Sequence, residues 1–328
     1  MNSKEIVRRT LDFDNPGRLA ISFGDSDIVT TSFKVKTKQT DWKIITGEYW
    51  ERIDEWGNTW GRLDPTSKGE VVRGALEGIE DFESYSFPDF SCFEDYSECV
   101  RICKENPDKW VLGNVPGFTF NIARKLTTLE NYLMDLLLEP EKMLRLHDRI
   151  DVIIQNMICN YAKAGVDAIF FLEDWGTQTQ TLISPALWRE EFFPRTKKHC
   201  DLAQSLGIRV FMHSCGCIGA IIPGLMEAGI DVLQFDQPAL HGIDSLASYQ
   251  NTGKITFWCP VDIQKTLQTR DEEAIRSEAR ELVDKLWKGR GGFIGKIYGD
   301  HVSIGLERIW EEYAMDEFVK RGKREYYI

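Results

Sequence analysis

Asp167-Ala168-Ile169-Phe170-Phe171-Leu172 and Arg209-Val210-Phe211-Met212-His213 are two short apolar runs with one helical segment between them. Each is too short for a helix and apolar on both faces, the pattern of a strand buried from both sides in a parallel sheet. Between them, Ser184-Pro185 supplies a capping hydroxyl followed by proline at the first helical position, and Gly207 supplies the stop. The unit is strand–helix–strand, from which parallel sheets are built. The alternation continues both ways. Upstream, 109–115 reads as a strand and 127–164 as helices, with Pro140 opening the second. Downstream, strands are expected at 231–235, 254–258 and 291–297, and helices at 218–228, near 245, at 271–287 and at 307–320. A further strand fits 19–23. The expected fold is α/β, a TIM (β/α)8 barrel, closed or distorted, with 1–328 as a single domain. The eighth strand is not obvious: either it hides within 69–90 or the barrel is distorted. A doubly wound open sheet is the rival, weakened because no glycine-rich phosphate loop follows the first strand.

Residues 41–66 break the pattern. They hold four of the ten tryptophans, Trp42, Trp50, Trp56 and Trp60, and Gly57-Asn58 marks a hairpin. This stretch is expected to be an N-terminal insertion in the barrel. Its indoles either pack on the barrel or form an aromatic wall over a substrate mouth.

The 328 residues are 42% hydrophobic and 28% charged, which is enough apolar content for a large core. A net charge of −12 argues against a general nucleic-acid binder. No targeting segment and no apolar stretch long enough for a membrane are visible, so a soluble cytoplasmic enzyme is expected, with a homodimer left open. Eight cysteines are too sparse for a disulfide scaffold. Cys92, Cys99, Cys103, Cys159 and Cys200 read as packing residues, and His147 and His199 as surface or partly buried helix residues.

A parallel barrel gathers its chemistry at the C-terminal ends of its strands. The expected ends carry Asp25, then Asn114, then Glu173, Asp174, Trp175 and Gln178, then His213, Cys215 and Cys217, then Asp236 and Gln237, then Cys259, then Tyr298, Asp300 and His301. Residues two apart on a strand face the same side, so His213 and Cys215 converge, and imidazole with thiolate is a zinc-binding combination. A buried His–Cys pair without metal is the alternative. Cys259 and Glu173 are further candidate ligands, each with an ordinary reading as core residue or loop carboxylate. A Cys–His nucleophile pair ranks lower, for want of an orienting group.

Glu173-Asp174-Trp175-Gly176-Thr177-Gln178, Ile183-Ser184-Pro185-Ala186-Leu187-Trp188, His213-Ser214-Cys215-Gly216 and Gln237-Pro238 together resemble the uroporphyrinogen decarboxylase superfamily, and within it the corrinoid-dependent methyltransferases. The openings Arg8-Arg9-Thr10-Leu11 and Asn15-Pro16-Gly17-Arg18 are similar as well. The resemblance implies a TIM barrel and zinc on His213 and Cys215. It also implies a corrinoid carried by a separate corrinoid-binding protein, with methyl transfer to or from a small molecule such as a methoxylated aromatic, a thiol or a pterin. Two departures stand out. Ser22-Phe23-Gly24-Asp25-Ser26 lacks the arginine motif by which the decarboxylases grip substrate, and Ile297-Tyr298-Gly299-Asp300-His301 lacks the cysteine that completes the zinc site of thiol-methylating members. Cys259, Glu173, Asp300 and His301 are the candidate replacements. Asp174, Asp236 and Tyr298 are the expected catalytic groups. Trp175, Gln178, Gln237 and Asp25 are the expected substrate contacts. The alternatives are a decarboxylase or lyase acting on a small carboxylic acid, with Asp25 or Asp174 as its acid or base, and a non-catalytic binding subunit.

Overall fold

The computed structural model describes residues 1–35 and 37–327. Its strands are β1 (Ala20–Ile21), β2 (Ile28–Thr31), β3 (Lys43–Thr46), β4 (Tyr49–Ile53), β5 (Thr59–Arg62), β6 (Glu70–Arg73), β7 (Trp110–Val115), β8 (Ala168–Leu172), β9 (Arg209–His213), β10 (Val232–Gln234), β11 (Thr256–Cys259) and β12 (Phe293–Gly295). Eight of them form one parallel sheet in the order β1-β12-β11-β10-β9-β8-β7-β2. The ends meet where Asp27 N–H donates to the Ile21 carbonyl at 2.9 Å, so the sheet is a nearly closed TIM barrel with helices outside. The eighth strand is β2, not a segment of 69–90. Only six residues separate it from β1, with no helix between, so the alternation that revealed its neighbours is missing here.

Strand parity builds two cores. Ala20, Ile28, Trp110, Leu112, Ala168, Phe211, Val232, Trp258 and Ile294 point inward and pack together. The alternate residues, among them Val111, Ile169, Val210, Leu233, Phe257 and Phe293, pack against the surrounding helices. Helix α1 (Ser3–Asp12) closes the bottom. Asn2 caps it by accepting from Glu5 N–H at 3.0 Å, and its Ile6, Val7 and Leu11 join the inner core. Three further helices matter for the site or its support: α2 (Ser97–Glu105), α3 (Thr119–Leu126) and, after the short α4 (Leu129–Leu138), the long α5 (Pro140–Ala164).

Strands β3 to β6 form a separate antiparallel sheet, which runs on to Arg73, past residue 66. Its β4–β5 hairpin turns on Asp54, whose buried carboxylate accepts from the N–H groups of Trp56 and Asn58, from Asn58 Nδ2 and from Trp60 Nε1 at 2.7–3.0 Å. One seam ties the sheet to the barrel through its backbone. Leu76 N–H donates to the Leu126 carbonyl at 2.9 Å, and a Cβ on Gly74 would lie 2.1 Å from that oxygen. Trp56 is buried and packs on Phe90, whereas Trp42 and Trp60 line a cavity above the strand tips.

Candidate active site

His213 and Gln234 are register partners on adjacent strands, and both point inward. Their side chains meet at the mouth, where His213 Nδ1 faces Gln234 Oε1. The amide orientation is set from behind. Gln234 Nε2 donates to Asp236 Oδ1 at 2.8 Å, and the same carboxylate accepts from Lys296 Nζ at 2.8 Å. Burial works against ionisation of Asp236, but Lys296 and His213 outweigh it and hold the carboxyl below its usual range. With Oε1 turned to the imidazole, Nδ1 carries the proton and Nε2 carries the free lone pair. That Nε2 lies 3.2 Å from Cys215 Sγ and 3.5 Å from Asp174 Oδ1.

Two loops hold this trio. Cys215 N–H donates to Asp174 Oδ1 at 2.8 Å, and Cys217 N–H donates to the Thr177 carbonyl at 2.7 Å. The backbones touch at two glycines: a Cβ on Gly216, which has φ +78°, would sit 2.3 Å from the Gly176 carbonyl carbon. One nitrogen, one sulfur and one oxygen donor thus lie within 4.8 Å of one another. Donors bonded to a tetrahedral zinc at about 2.0–2.3 Å stand roughly 3.3–3.8 Å apart, so the donor types and spacings fit that ion. Cys215 as a residue is exposed, but its sulfur faces the cluster. Partial burial and the carboxylates of Asp174 and Asp236 push its thiol up to about 12. A bound cation reverses that influence.

The other expected residues fall elsewhere. Glu173 is buried, with its carboxylate accepting from the N–H groups of Phe118, Phe120 and Asn121 at 2.8–3.2 Å. It caps α3, stays outside the donor cluster, and burial pushes it up to about 8. Cys259 has the parity of Phe257, opposite to inward-facing Trp258, and is fully buried among the outer helices. It is not a ligand. Asp300 and His301 also lie outside the cluster. Trp175 is a core residue, stacked on Phe120 at 4.0 Å and edge-on to Phe192. Asp25 is exposed and pairs at 2.6 Å with Lys109, the residue before β7, so it sits where strands begin, away from the mouth. Asp236, Gln237 and Tyr298 do line the cavity beside His213 and Cys215. Gln178 reaches Gln237 at 3.3 Å. His147 and His199 are fully buried, paired with Glu191 at 2.7 Å and Asp151 at 3.0 Å.

Several mouth residues had no sequence signal strong enough to single them out. Lys68 arrives from the antiparallel sheet and donates to Tyr298 Oη at 3.2 Å. Lys296 follows the last strand, a position the strand-end reading covered without selecting it. His241 is tilted against Phe235, with ring centroids 4.3 Å apart.

Residues 64–297 match the model of the family described as uroporphyrinogen decarboxylase (URO-D). The chain belongs to the uroporphyrinogen decarboxylase family. Among solved structures, this URO-D family member is similar to a methyltransferase from Methanosarcina mazei, at 14% identity and TM-score 0.57 over 80% of this chain and 73% of that one. A B12-independent methionine synthase from Shewanella sp. W3-18-1 is similar at 11% identity and TM-score 0.46, over 82% and 70%. At these identities the likeness is one of fold. Comparison with curated proteins gives no match. No helix among the described residues of this URO-D chain is long and apolar enough to cross a membrane.

Proposed function

We propose that this protein is a zinc-dependent methyltransferase that moves a methyl group between a small substrate and a corrinoid held by a partner protein. The observation that carries the reading is the Asp174–His213–Cys215 trio, with the ligating tautomer of His213 already set. These three side chains would hold the ion, and three protein ligands leave a position for a substrate heteroatom. When bound, zinc supplies Lewis-acid charge to that heteroatom, and the corrinoid supplies the methyl donor or acceptor.

The chain's own groups do the rest. Gln234, Asp236 and Lys296 fix the imidazole. Gln178 and Gln237 form a mutual amide pair beside the trio, from which either can turn a donor or an acceptor to substrate. Tyr298 is held over the site by Lys68 from one side, and by Glu311 accepting its backbone N–H at 2.7 Å from the other. The antiparallel sheet lines one side of the adjoining cavity.

The test is metal content with methyl transfer. Purified protein should carry about one zinc per chain, and Cys215→Ala should lose it. Methyl exchange with free cobalamin should appear as a change in cobalt absorbance. Full methyl transfer by zinc-free protein would overturn the zinc, and no methyl exchange by the zinc-loaded protein would return the site to a decarboxylase or lyase.

A further inference from the structure

A large cavity beneath the antiparallel sheet adjoins the donor trio at Asp174. It holds about 1320 Å³ and runs from Trp42 and Trp60 to Leu172 and Asp174 at the strand tips. Five lysines and arginines line it against three carboxylates, in a chain whose net charge is −12. The local charge is therefore opposite to the global one, which is how a surface concentrates anions at one site.

The cations differ in what they lack. Arg124 donates to Asn121 Oδ1 at 2.8 and 3.1 Å and lies 3.6 Å from Asp174. Lys68 donates to Tyr298. The Arg52 guanidinium sits 4.6 Å from the Trp60 ring centroid and 5.3 Å from that of Trp42. Lys125, on the last turn of α3, has no hydrogen bond or ion pair among the described residues, and its ammonium lies 5.2 Å from the Trp60 centroid. Burial and the neighbouring Arg124 pull its pKa down. Asp54, Glu55 and Asp174 offset this only in part, and none of them touches the half-buried ammonium, so an anion that does touch it is favoured. A guanidinium such as that of Arg52, which lines the same cavity, can give a carboxylate two parallel donors. The remaining wall is apolar, with Leu129, Leu172 and Ile53.

We infer that this cavity binds the small substrate as a carboxylate with an apolar body, its carboxylate on Lys125 and Arg52 and its far end toward Asp174. The inference rests on the reading above only for the chemistry that follows binding. The binding step stands apart from zinc and corrinoid.

Calorimetric titration of the intact protein with benzoate, benzamide, acetate and inorganic phosphate tests it. Benzoate should bind at least about tenfold more tightly than each of the other three, since a charge-assisted hydrogen bond and apolar contact are each worth about that factor. Lys125→Met keeps the aliphatic stem and should lower benzoate affinity about tenfold while leaving benzamide unchanged, and Lys125→Arg should restore most of it. Equal binding of benzoate and benzamide, unchanged benzoate affinity in Lys125→Met, or no binding of any probe would overturn the inference. Acetate or phosphate binding as tightly as benzoate would overturn the apolar body. Benzoate binding without methyl transfer to any acid would count against the methyltransferase reading alone. Methyl transfer from neutral substrates with no acid binding would count against the cavity assignment alone.

Discussion

Gln234→Leu removes the acceptor that fixes the His213 ring and leaves side-chain volume nearly unchanged. His213 is 8% exposed, so water does not readily replace the lost oxygen. The Nδ1–H tautomer, the one that leaves Nε2 free for a metal, is then left with a buried donor unsatisfied, at a cost of about 1–3 kcal/mol. The other tautomer carries no such penalty, but its proton occupies Nε2. Loss of a partner behind a ligating histidine typically lowers metal affinity about 10–100-fold, which is the same range expressed as a ratio. Asp236 keeps its 2.8 Å contact with Lys296, so the rest of the mouth stays paired. Competition against a chromophoric zinc chelator at fixed pH reads the affinity, and a melting curve shows that the fold persists. A zinc affinity within about threefold of wild type would refute the argument that Gln234 sets the tautomer.

Two further outcomes follow from the framework. Gly74→Ala places a Cβ 2.1 Å from the Leu126 carbonyl oxygen, so the seam between sheet and barrel must open, and overpacking of this kind costs about 1–3 kcal/mol; hydrogen exchange at Leu76 N–H should rise at least tenfold, and unchanged protection would show that the seam does not hold the sheet. Asp151 is buried, which alone would raise its pKa, but His199, Thr119 and Arg195 outweigh burial and bring it down to about 2. A depressed carboxyl stabilises the fold above its unfolded pKa near 4, and that stability, about 2.5 kcal/mol, fades as pH falls from 4 toward 2. Urea midpoints of Asp151→Asn should lack this part of the acid dependence, and a profile parallel to wild type would contradict it.

The strands legible in the sequence were those buried on both faces. Ala168 to Leu172 and Arg209 to His213 are apolar because they face a core on each side. Ile28 to Thr31 is four residues long and half polar, and nothing in its own pattern marks it as barrel wall. Within the site, His213 and Cys215 were readable because a period of two is a local rule. Parity also separates Cys259 from the mouth, but only once Trp258 is known to point inward. Glu173 was misread because its partners, the N–H groups of Phe118, Phe120 and Asn121, lie more than fifty residues upstream. Lys125 and Lys68 reach the mouth through contact between an inserted sheet and a barrel helix, which no local pattern encodes.

The roof over the mouth is joined to the barrel by the glycine seam and by Trp56 packed on Phe90, and on its far side Lys68 donates to Tyr298. Its Trp42, Arg52 and Trp60 face the cavity, yet none of the three metal-type donors comes from it. Such a sheet behaves as a replaceable cassette. Its lining can be rewritten to admit a different molecule while Asp174, His213 and Cys215 stay where the barrel puts them, so what is recognised and what is done to it are free to change separately.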